Sequence, residues 1–484
     1  MGALAVVAMV GRLVVLFALF MGVPLAFAAA ADDAARDPFL AAAAITLTSG
    51  LAMSLATRRF RRELQPRDGF LLVGLTWALL PLFGALPLLL AIPGLGFTDA
   101  YFEAMSGFTT TGATVLSGLD ALPTSVNVWR CLLSLIGGMG IIILAVAILP
   151  LLGVGGNQLV KTEMTGPMKD QKLTPRIADT ARAVWVIYAV IALVCTLAYQ
   201  MAGMSWSDAF MHMCTTVSLG GFSSHDASFG YWDSPAIEAV AIAFMMLSGI
   251  NLVLYFAAWR ARSPAPVWRN TEARAYLGVL VATVALLTAF LWLQGSAPSA
   301  AAALRLAAFH VVSVATTTGY ATYDYAQWPH FASMLMILLG CFATCAGSTG
   351  GGMKMVRVLL LLKLSRREML RILHPSAVTP VVLGGTVVSE RVMHSVVAYM
   401  MMYGASLVAL TLAMLFSGLE PVTAFTAVLA CLNNIGPGLG EVGPALNYGG
   451  LSGVQLWICT LAMMLGRLEL LAVLVLLTPQ FWRK

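Results

Sequence analysis

Charge is what this sequence has least of. Only 10% of its 484 residues are Asp, Glu, Lys or Arg, while 60% are hydrophobic; an ordinary soluble domain carries about 25% charged residues. So small a charged fraction excludes a soluble globular protein and indicates an integral membrane protein, for which counting domains by length does not apply. The seven cysteines include no C-x-x-C pair. Cys341 and Cys345 stand one helical turn apart, with no histidine or acidic partner near them in sequence, so they read as packing residues. Neither a disulfide framework nor a resident metal site is expected. A phosphate loop is missing too: the glycines at 350–352 follow no strand, which argues against nucleotide binding, and no bound cofactor is expected.

The net charge of +6 would suit a nucleic-acid partner, but its placement does not. Of the 28 Lys and Arg, 23 fall in five clusters, at 58–67, 161–182, 260–274, 354–391 and 483–484, between or beside alternate apolar segments. The other connections carry Asp32, Asp33, Asp37, Asp120, Asp226, Asp233, Asp324 and Glu441. This is the positive-inside pattern of a multi-pass protein in an inner (plasma) membrane, and it puts both termini in the cytoplasm. The partner expected for such a surface is the lipid bilayer, with no nucleic acid.

One kind of stretch occurs four times. It runs Thr109, Thr110, Thr111, Gly112, Ala113, Thr114; then Ser218, Leu219, Gly220, Gly221, Phe222, Ser223; then Thr316, Thr317, Thr318, Gly319, Tyr320, Ala321; then Asn433, Asn434, Ile435, Gly436, Pro437, Gly438. Aligned on Gly112, Gly221, Gly319 and Gly436, the upstream residues match as well. Asp99, Asp208 and Thr423 stand thirteen before the glycine, Tyr101, Phe210 and Phe425 eleven before it, and Ser106, Thr215 and Ser313 six before it. The repeat is therefore a whole structural unit. Each unit reads as an outer helix, a short re-entrant helix, the glycine stretch and an inner helix. The segments are 69–92, 98–109 and 125–152; 184–203, 206–217 and 235–259; 276–294, 300–315 and 329–364; 392–417, 421–432 and 450–478. Full spans approach the ~20 residues that a bilayer requires, and the re-entrant segments do not.

Irregular backbone at membrane depth is tolerated only where it is buried in protein or lines a watery path. Four such stretches around one axis would present a ring of carbonyl oxygens able to replace a monovalent cation's hydration shell, with the negative ends of the re-entrant helices aimed at it. The expected fold is all-α, with four tandem helix–pore-loop–helix repeats in pseudo-fourfold symmetry around a central pore. The repeats are assigned to residues 65–153, 154–262, 263–373 and 374–484, after two extra N-terminal helices in residues 1–64. The apolar run 4–30 is read as a retained helix rather than a cleaved leader. Asp99 and Asp208 read as N-caps of their helices. Glu103, His212 and His310 all stand nine before their glycines and read as hydrogen-bonding braces.

This combination resembles the Trk/Ktr/HKT superfamily of potassium transporters, most closely its bacterial TrkH type. The four stretches carry the match, together with Cys345-Ala346-Gly347-Ser348-Thr349-Gly350-Gly351-Gly352-Met353-Lys354 and Gly466-Arg467-Leu468-Glu469, and the likeness covers essentially the whole chain. It implies that backbone oxygens of Thr110, Thr111, Gly112, Leu219, Gly220, Gly221, Thr317, Thr318, Gly319, Asn434, Ile435 and Gly436 line an ion-binding filter. K+ would be held chiefly at Thr111, Gly112, Gly220, Gly221, Thr318, Gly319, Ile435 and Gly436. In plant relatives a serine at a filter glycine accompanies sodium preference; here all four glycines are kept, so potassium is the transported ion expected. Stretches two and four depart from the Thr-Thr-x-Gly form. The resemblance also implies a homodimer working with a cytosolic nucleotide-binding regulatory ring.

Glycines at 347, 350, 351 and 352 make a poor helix at about 1 kcal/mol each relative to alanine. With the resemblance, Gly347, Ser348, Thr349, Gly350, Gly351, Gly352 and Lys354 are expected to form a gate beneath the filter, tied by Lys354 and Arg357 to the cytoplasmic face. Arg467, a charge near the middle of the last span, is costly there and marks a pathway or a pair; it is expected beside the gate. Glu469, two residues on, does not face it. The expected function is non-enzymatic potassium uptake. Its rivals are a proton- or sodium-coupled carrier, which would call for inverted repeats and a midplane acidic site, and a non-transporting membrane scaffold.

Overall fold

The computed structural model describes residues 2–60, 65–143 and 177–483. Helices α1 (Gly2–Phe20), α2 (Gly22–Ala31) and α3 (Arg36–Ala56) come first. Gly11 and Gly50 let α1 and α3 cross closely: a Cβ on Gly50 would lie 2.8 Å from the Val15 nitrogen, the use of small residues usual between membrane helices. The first unit follows as α4 (Pro66–Ala91), α5 (Phe97–Phe108) and α6 (Thr124–Ile143). The expected continuation of α6 to 152, and nearly all of the basic stretch 161–182, lie outside the described residues.

The second unit comprises α7 (Ile177–Met201), α8 (Trp206–Val217), α9 (Pro235–Ser248) and α10 (Leu252–Ala261), joined by the short α11 (Ala265–Arg269) to the third: α12 (Thr271–Leu293), α13 (Ala300–Ala315), α14 (His330–Gly340) and α15 (Met355–Leu373). A hairpin pairs Val382–Leu383 with Thr386–Val387. The fourth unit is α16 (Glu390–Phe416), α17 (Pro421–Leu432), α18 (Gly453–Arg467), α19 (Leu471–Leu476) and α20 (Pro479–Trp482). Among the described residues, six helices are long and apolar enough to cross a membrane, or seven if the bent pair α9–α10 is one span. The protein is an all-α, multi-pass membrane protein.

The short helices α5, α8, α13 and α17 each pack on the outer helix before them and on the inner helix after them. They also pack across units: α6 on α8, α9 on α13, and α18 on α5. Three of the four start on a side-chain cap. Ser205 accepts from the Asp208 nitrogen, Ser299 from Ala302 and Glu420 from Thr423. Asp99 and Asp208 are therefore not the caps they were expected to be: they sit at the third helical position, and the caps are Gly96 and Ser205. An acidic side chain there still complements the helix dipole, which explains why it reads like a cap in sequence.

A second departure concerns the inner helices, of which only the third was expected to break. The second bends by 88° between α9 and α10, at Gly249, Ile250 and Asn251. The fourth stops at Arg467 and resumes at Leu471, with Glu469 at φ 57°.

Candidate functional site: four glycine stretches and the loop beneath them

Each re-entrant helix ends in the same way. The amide of the residue one before the glycine donates to the carbonyl five positions back: Thr111 to Ser106, Gly220 to Thr215, Thr318 to Ser313 and Ile435 to Ala430, at 2.7–2.8 Å. The residue preceding it bonds three back: Thr110 to Gly107, Leu219 to Thr216, Thr317 to Val314 and Asn434 to Cys431. This paired closure is the Schellman stop, whose left-handed position is normally glycine. Here Thr110, Leu219, Thr317 and Asn434 occupy it, at φ 53°, 56°, 62° and 55°. Two residues later Gly112, Gly221, Gly319 and Gly436 are left-handed again, at φ 80°, 69°, 86° and 94°. A left-handed non-glycine residue costs about 1–2 kcal/mol, so this path is held by its surroundings.

The four stretches neighbour one another in a closed cycle. A Cβ on Gly112 would lie 2.5 Å from the Gly220 oxygen, one on Gly221 would lie 1.9 Å from the Thr318 oxygen, and one on Gly319 would lie 2.1 Å from the Ile435 oxygen. One on Gly436 would lie 2.7 Å from the Thr111 oxygen, which closes the cycle. Only hydrogen fits at these places. Side chains fix the spacing: Thr109 bonds Thr111 at 2.7 Å, Thr316 bonds Thr318 at 2.8 Å, and Asn434 Nδ2 donates to Thr111 Oγ1 at 2.9 Å. All four glycines line one vestibule of about 80 Å³, which also meets Arg130, His225 and Asp226.

Beneath the stretches lies the segment joining α14 to α15. Thr349 Oγ1 donates to the Val217 carbonyl at 3.0 Å, and the Gly351 amide donates to Thr317 Oγ1 at 2.8 Å. A Cβ on Gly350 would lie 3.1 Å from the Thr316 oxygen, and one on Gly351 would lie 2.1 Å from the Asn433 oxygen. The loop thus touches the end of α8, just before stretch two, and stretches three and four. Ser348 closes on the Cys345 carbonyl at 2.6 Å, and Gly352 is left-handed at φ 77° against Cys341. Arg467 Nη1 donates to the Thr349 carbonyl at 2.8 Å, while its Nε and Nη2 are buried without a protein partner.

Lys354 does not reach toward the cytoplasmic face, as expected; it folds back and donates to the Gly350 carbonyl. Arg357 makes the outward tie, bonded to Glu469 at 2.5 Å and lying 3.9 Å over the Tyr399 ring. Two further holders escaped sequence reasoning. Glu272 Oε1 accepts the amides of Ala346 at 2.9 Å and Val356 at 3.0 Å, clamping both feet of the loop. The break in the second inner helix faces the same loop: the Leu252 amide donates to the Gly347 carbonyl and the Cys345 amide to the Gly249 carbonyl, at 3.2 and 3.0 Å. Backbone groups freed by one break are satisfied by the other, which is the condition for irregular backbone at this depth.

Of the three residues nine before a glycine, Glu103 binds Thr114, the Val115 amide and Arg130, His212 binds Ser223 Oγ, and His310 accepts from the Thr322 and Tyr323 amides. At the rim, His225 is bonded to Asp120 and lies 3.5 Å from Asp208, its ring stacked on Tyr231 with centroids 3.6 Å apart. Burial works against a charged His225, but the hydrogen bonds and charges of Asp208 and Asp120 outweigh it and raise the ring above its ordinary value. The bond from His225 holds Asp120 below its own.

The sequence matches the family model described as TrkH, cation transport protein, over residues 36–484. The chain is 44% identical over 475 residues to the Trk system potassium uptake protein TrkH of Halomonas elongata, covering 98% of each chain. It is 44% identical over 481 residues to that of Escherichia coli K12, covering 99% of each. The crystal structure of the potassium transporter TrkH from Vibrio parahaemolyticus is similar over the whole of both chains, with a TM-score of 0.92 at 40% identity.

Proposed function

The chain belongs to the TrkH family of cation transport proteins, and from that membership and this geometry we propose that it takes up potassium across the inner (plasma) membrane through a channel-like selectivity filter gated by an intramembrane loop. One observation carries the reading: a single backbone path, left-handed at two fixed positions, recurs in four segments that neighbour one another in a closed cycle. Alternating handedness turns successive carbonyls toward the same side, so the oxygens of residues 110–112, 219–221, 317–319 and 434–436 replace water around a dehydrated K+. The ion rests chiefly at Thr111, Gly112, Gly220, Gly221, Thr318, Gly319, Ile435 and Gly436. In this reading the four units are pseudo-equivalent quarters, with boundaries near 153, 262 and 373, and residues 1–64 are peripheral.

The loop from Gly347 to Lys354 is the gate, and Arg467 is its electrostatic post: a positive charge just below the ion path opposes cation passage while the loop is seated. An inside-negative potential contributes about 2.3 kcal/mol per elementary charge per 100 mV, enough to drive accumulation with no covalent chemistry. Both termini and the basic connections face the cytoplasm, where a nucleotide-binding ring docks and moves the gate, and two copies of the chain form the working dimer. The test is Rb+ and K+ uptake into proteoliposomes with and without a proton gradient. A current reversing near the potassium equilibrium potential agrees with the reading; strict dependence on protons overturns the channel, and wild-type selectivity in G319S overturns the filter.

A further inference from the structure

Among the described residues, Glu103 and Arg130 form a fully buried ion pair: both side chains have no exposed surface. A buried pair is not explained by stability alone, because desolvation offsets most of its attraction. Its connections are informative. Arg130 Nε donates to Glu103 Oε1 at 2.8 Å, Nη1 to the Asn127 side chain at 3.1 Å and to the Ser223 carbonyl at 3.2 Å, and Nη2 to Thr114 Oγ1 at 3.2 Å. Glu103 in turn accepts from Thr114 Oγ1 at 2.9 Å and from the Val115 amide at 3.0 Å. The guanidinium lies 4.5 Å from the Phe222 ring centroid. Thr114 is two residues past Gly112, and Ser223 is two past Gly221. One planar cation therefore holds the exits of two adjacent glycine stretches at a fixed separation, in the wall of the vestibule.

The equivalent positions do this differently. His310 accepts two backbone amides through Nε2 and donates from Nδ1 to the Leu306 carbonyl at 2.8 Å. His212 bonds Ser223 Oγ through Nε2 and the Asp208 carbonyl through Nδ1 at 2.9 Å each. Both rings brace their own unit, and Ala427, nine before Gly436, makes no such brace. Of these four positions only that of Glu103 carries a buried ion pair, and there the pair reaches the exit of the next stretch through Arg130.

We propose that Arg130, oriented by Glu103, is a specificity-determining positioning residue: it sets the gap between the first two filter exits and so the discrimination between K+ and Na+. The inference rests on the filter reading above. Lysine keeps the charge but lacks the fork that reaches Ser223 and Thr114 together. R130K in proteoliposomes is therefore expected to keep Rb+ uptake while its Na+-to-Rb+ permeability ratio rises about tenfold, the equivalent of ~1.4 kcal/mol. The double variant E103H/R130M places in the first unit the histidine brace of the second and third, leaves no lone buried charge, and removes the cross-link; it is expected to lose discrimination to the same degree. Unchanged ratios in either folded variant overturn the proposal. If R130K does not fold, the double variant decides. If neither yields monodisperse protein, the pair is structural and the proposal is overturned. G319S with wild-type selectivity would instead sink the filter reading itself.

Discussion

Replacing Gly351 by alanine should open the path without touching a filter residue. Gly351 is not in the left-handed region, so its backbone accepts alanine; the obstacle is a single atom. The new methyl would lie 2.1 Å from the Asn433 oxygen, where carbon–oxygen contact needs about 3.3 Å or more. The Asn433 carbonyl belongs to the end of α17 and is held by its neighbours, so the loop has to withdraw by about 1.2 Å, the shortfall against that contact distance. That movement stretches the 2.8 Å bond from the Gly351 amide to Thr317 beyond bonding range, a loss of about 1 kcal/mol. Residual overlap adds about 1–3 kcal/mol. A bias of about 2–4 kcal/mol raises the ratio of withdrawn to seated loop by roughly 30- to 1,000-fold. Passive Rb+ flux into proteoliposomes lacking any cytosolic partner should rise accordingly. G404A is the control, since a Cβ there has nothing within 4 Å. A folded G351A protein whose flux equals or falls below wild type would refute the reasoning.

Three further outcomes follow from the same geometry. G319A combines a left-handed backbone (φ 86°) with a methyl 2.1 Å from the Ile435 oxygen; it should abolish K+-selective flux and lower the melting temperature, read by uptake and thermal denaturation. E272A frees the Ala346 and Val356 amides and should raise Rb+ leak in proteoliposomes, whereas E272Q, which keeps an acceptor oxygen, should leak less. At the rim, His225 is raised, so the stability it lends is present below the ordinary histidine value and lost as pH rises through its higher one. Asp120 is lowered, so its share is present above the ordinary carboxylate range and lost as pH falls through its lower one. Melting temperature should therefore decline on the alkaline side of a scan over roughly pH 5–9, and H225Q should flatten that decline.

Gly112, Gly221, Gly319 and Gly436 were legible because matching residues recur upstream of them, and each stands at a place where only hydrogen fits. The residues two positions earlier were not. Nothing local marks Thr110, Asn434 or above all Leu219 as left-handed; the strain is imposed by the closure of the helix end and by the neighbouring stretch. The break at Gly249–Asn251 was missed for a similar reason. Gly-Ile-Asn passes for membrane helix until the α14–α15 loop arrives to take its hydrogen bonds. Lys354 was expected to reach outward because sequence separation says nothing about a side chain folding back on its own loop. Arg130 did leave a trace: it lies outside every basic cluster, in the inner helix that follows the acidic connection at Asp120, and an exception to charge alternation invites a search for a buried partner.

The floor beneath the glycine cycle has room for one loop. Thr349 and Gly351 already lie against the end of α8 and stretches three and four, so an assembly of four identical polypeptides would have had to seat four such loops where one fits. Fusing the quarters into a single chain removes that conflict. On the proposed reading, it lets one quarter specialise as the stopper and another keep a charged cross-brace, so that any stroke of the stopper is off-centre.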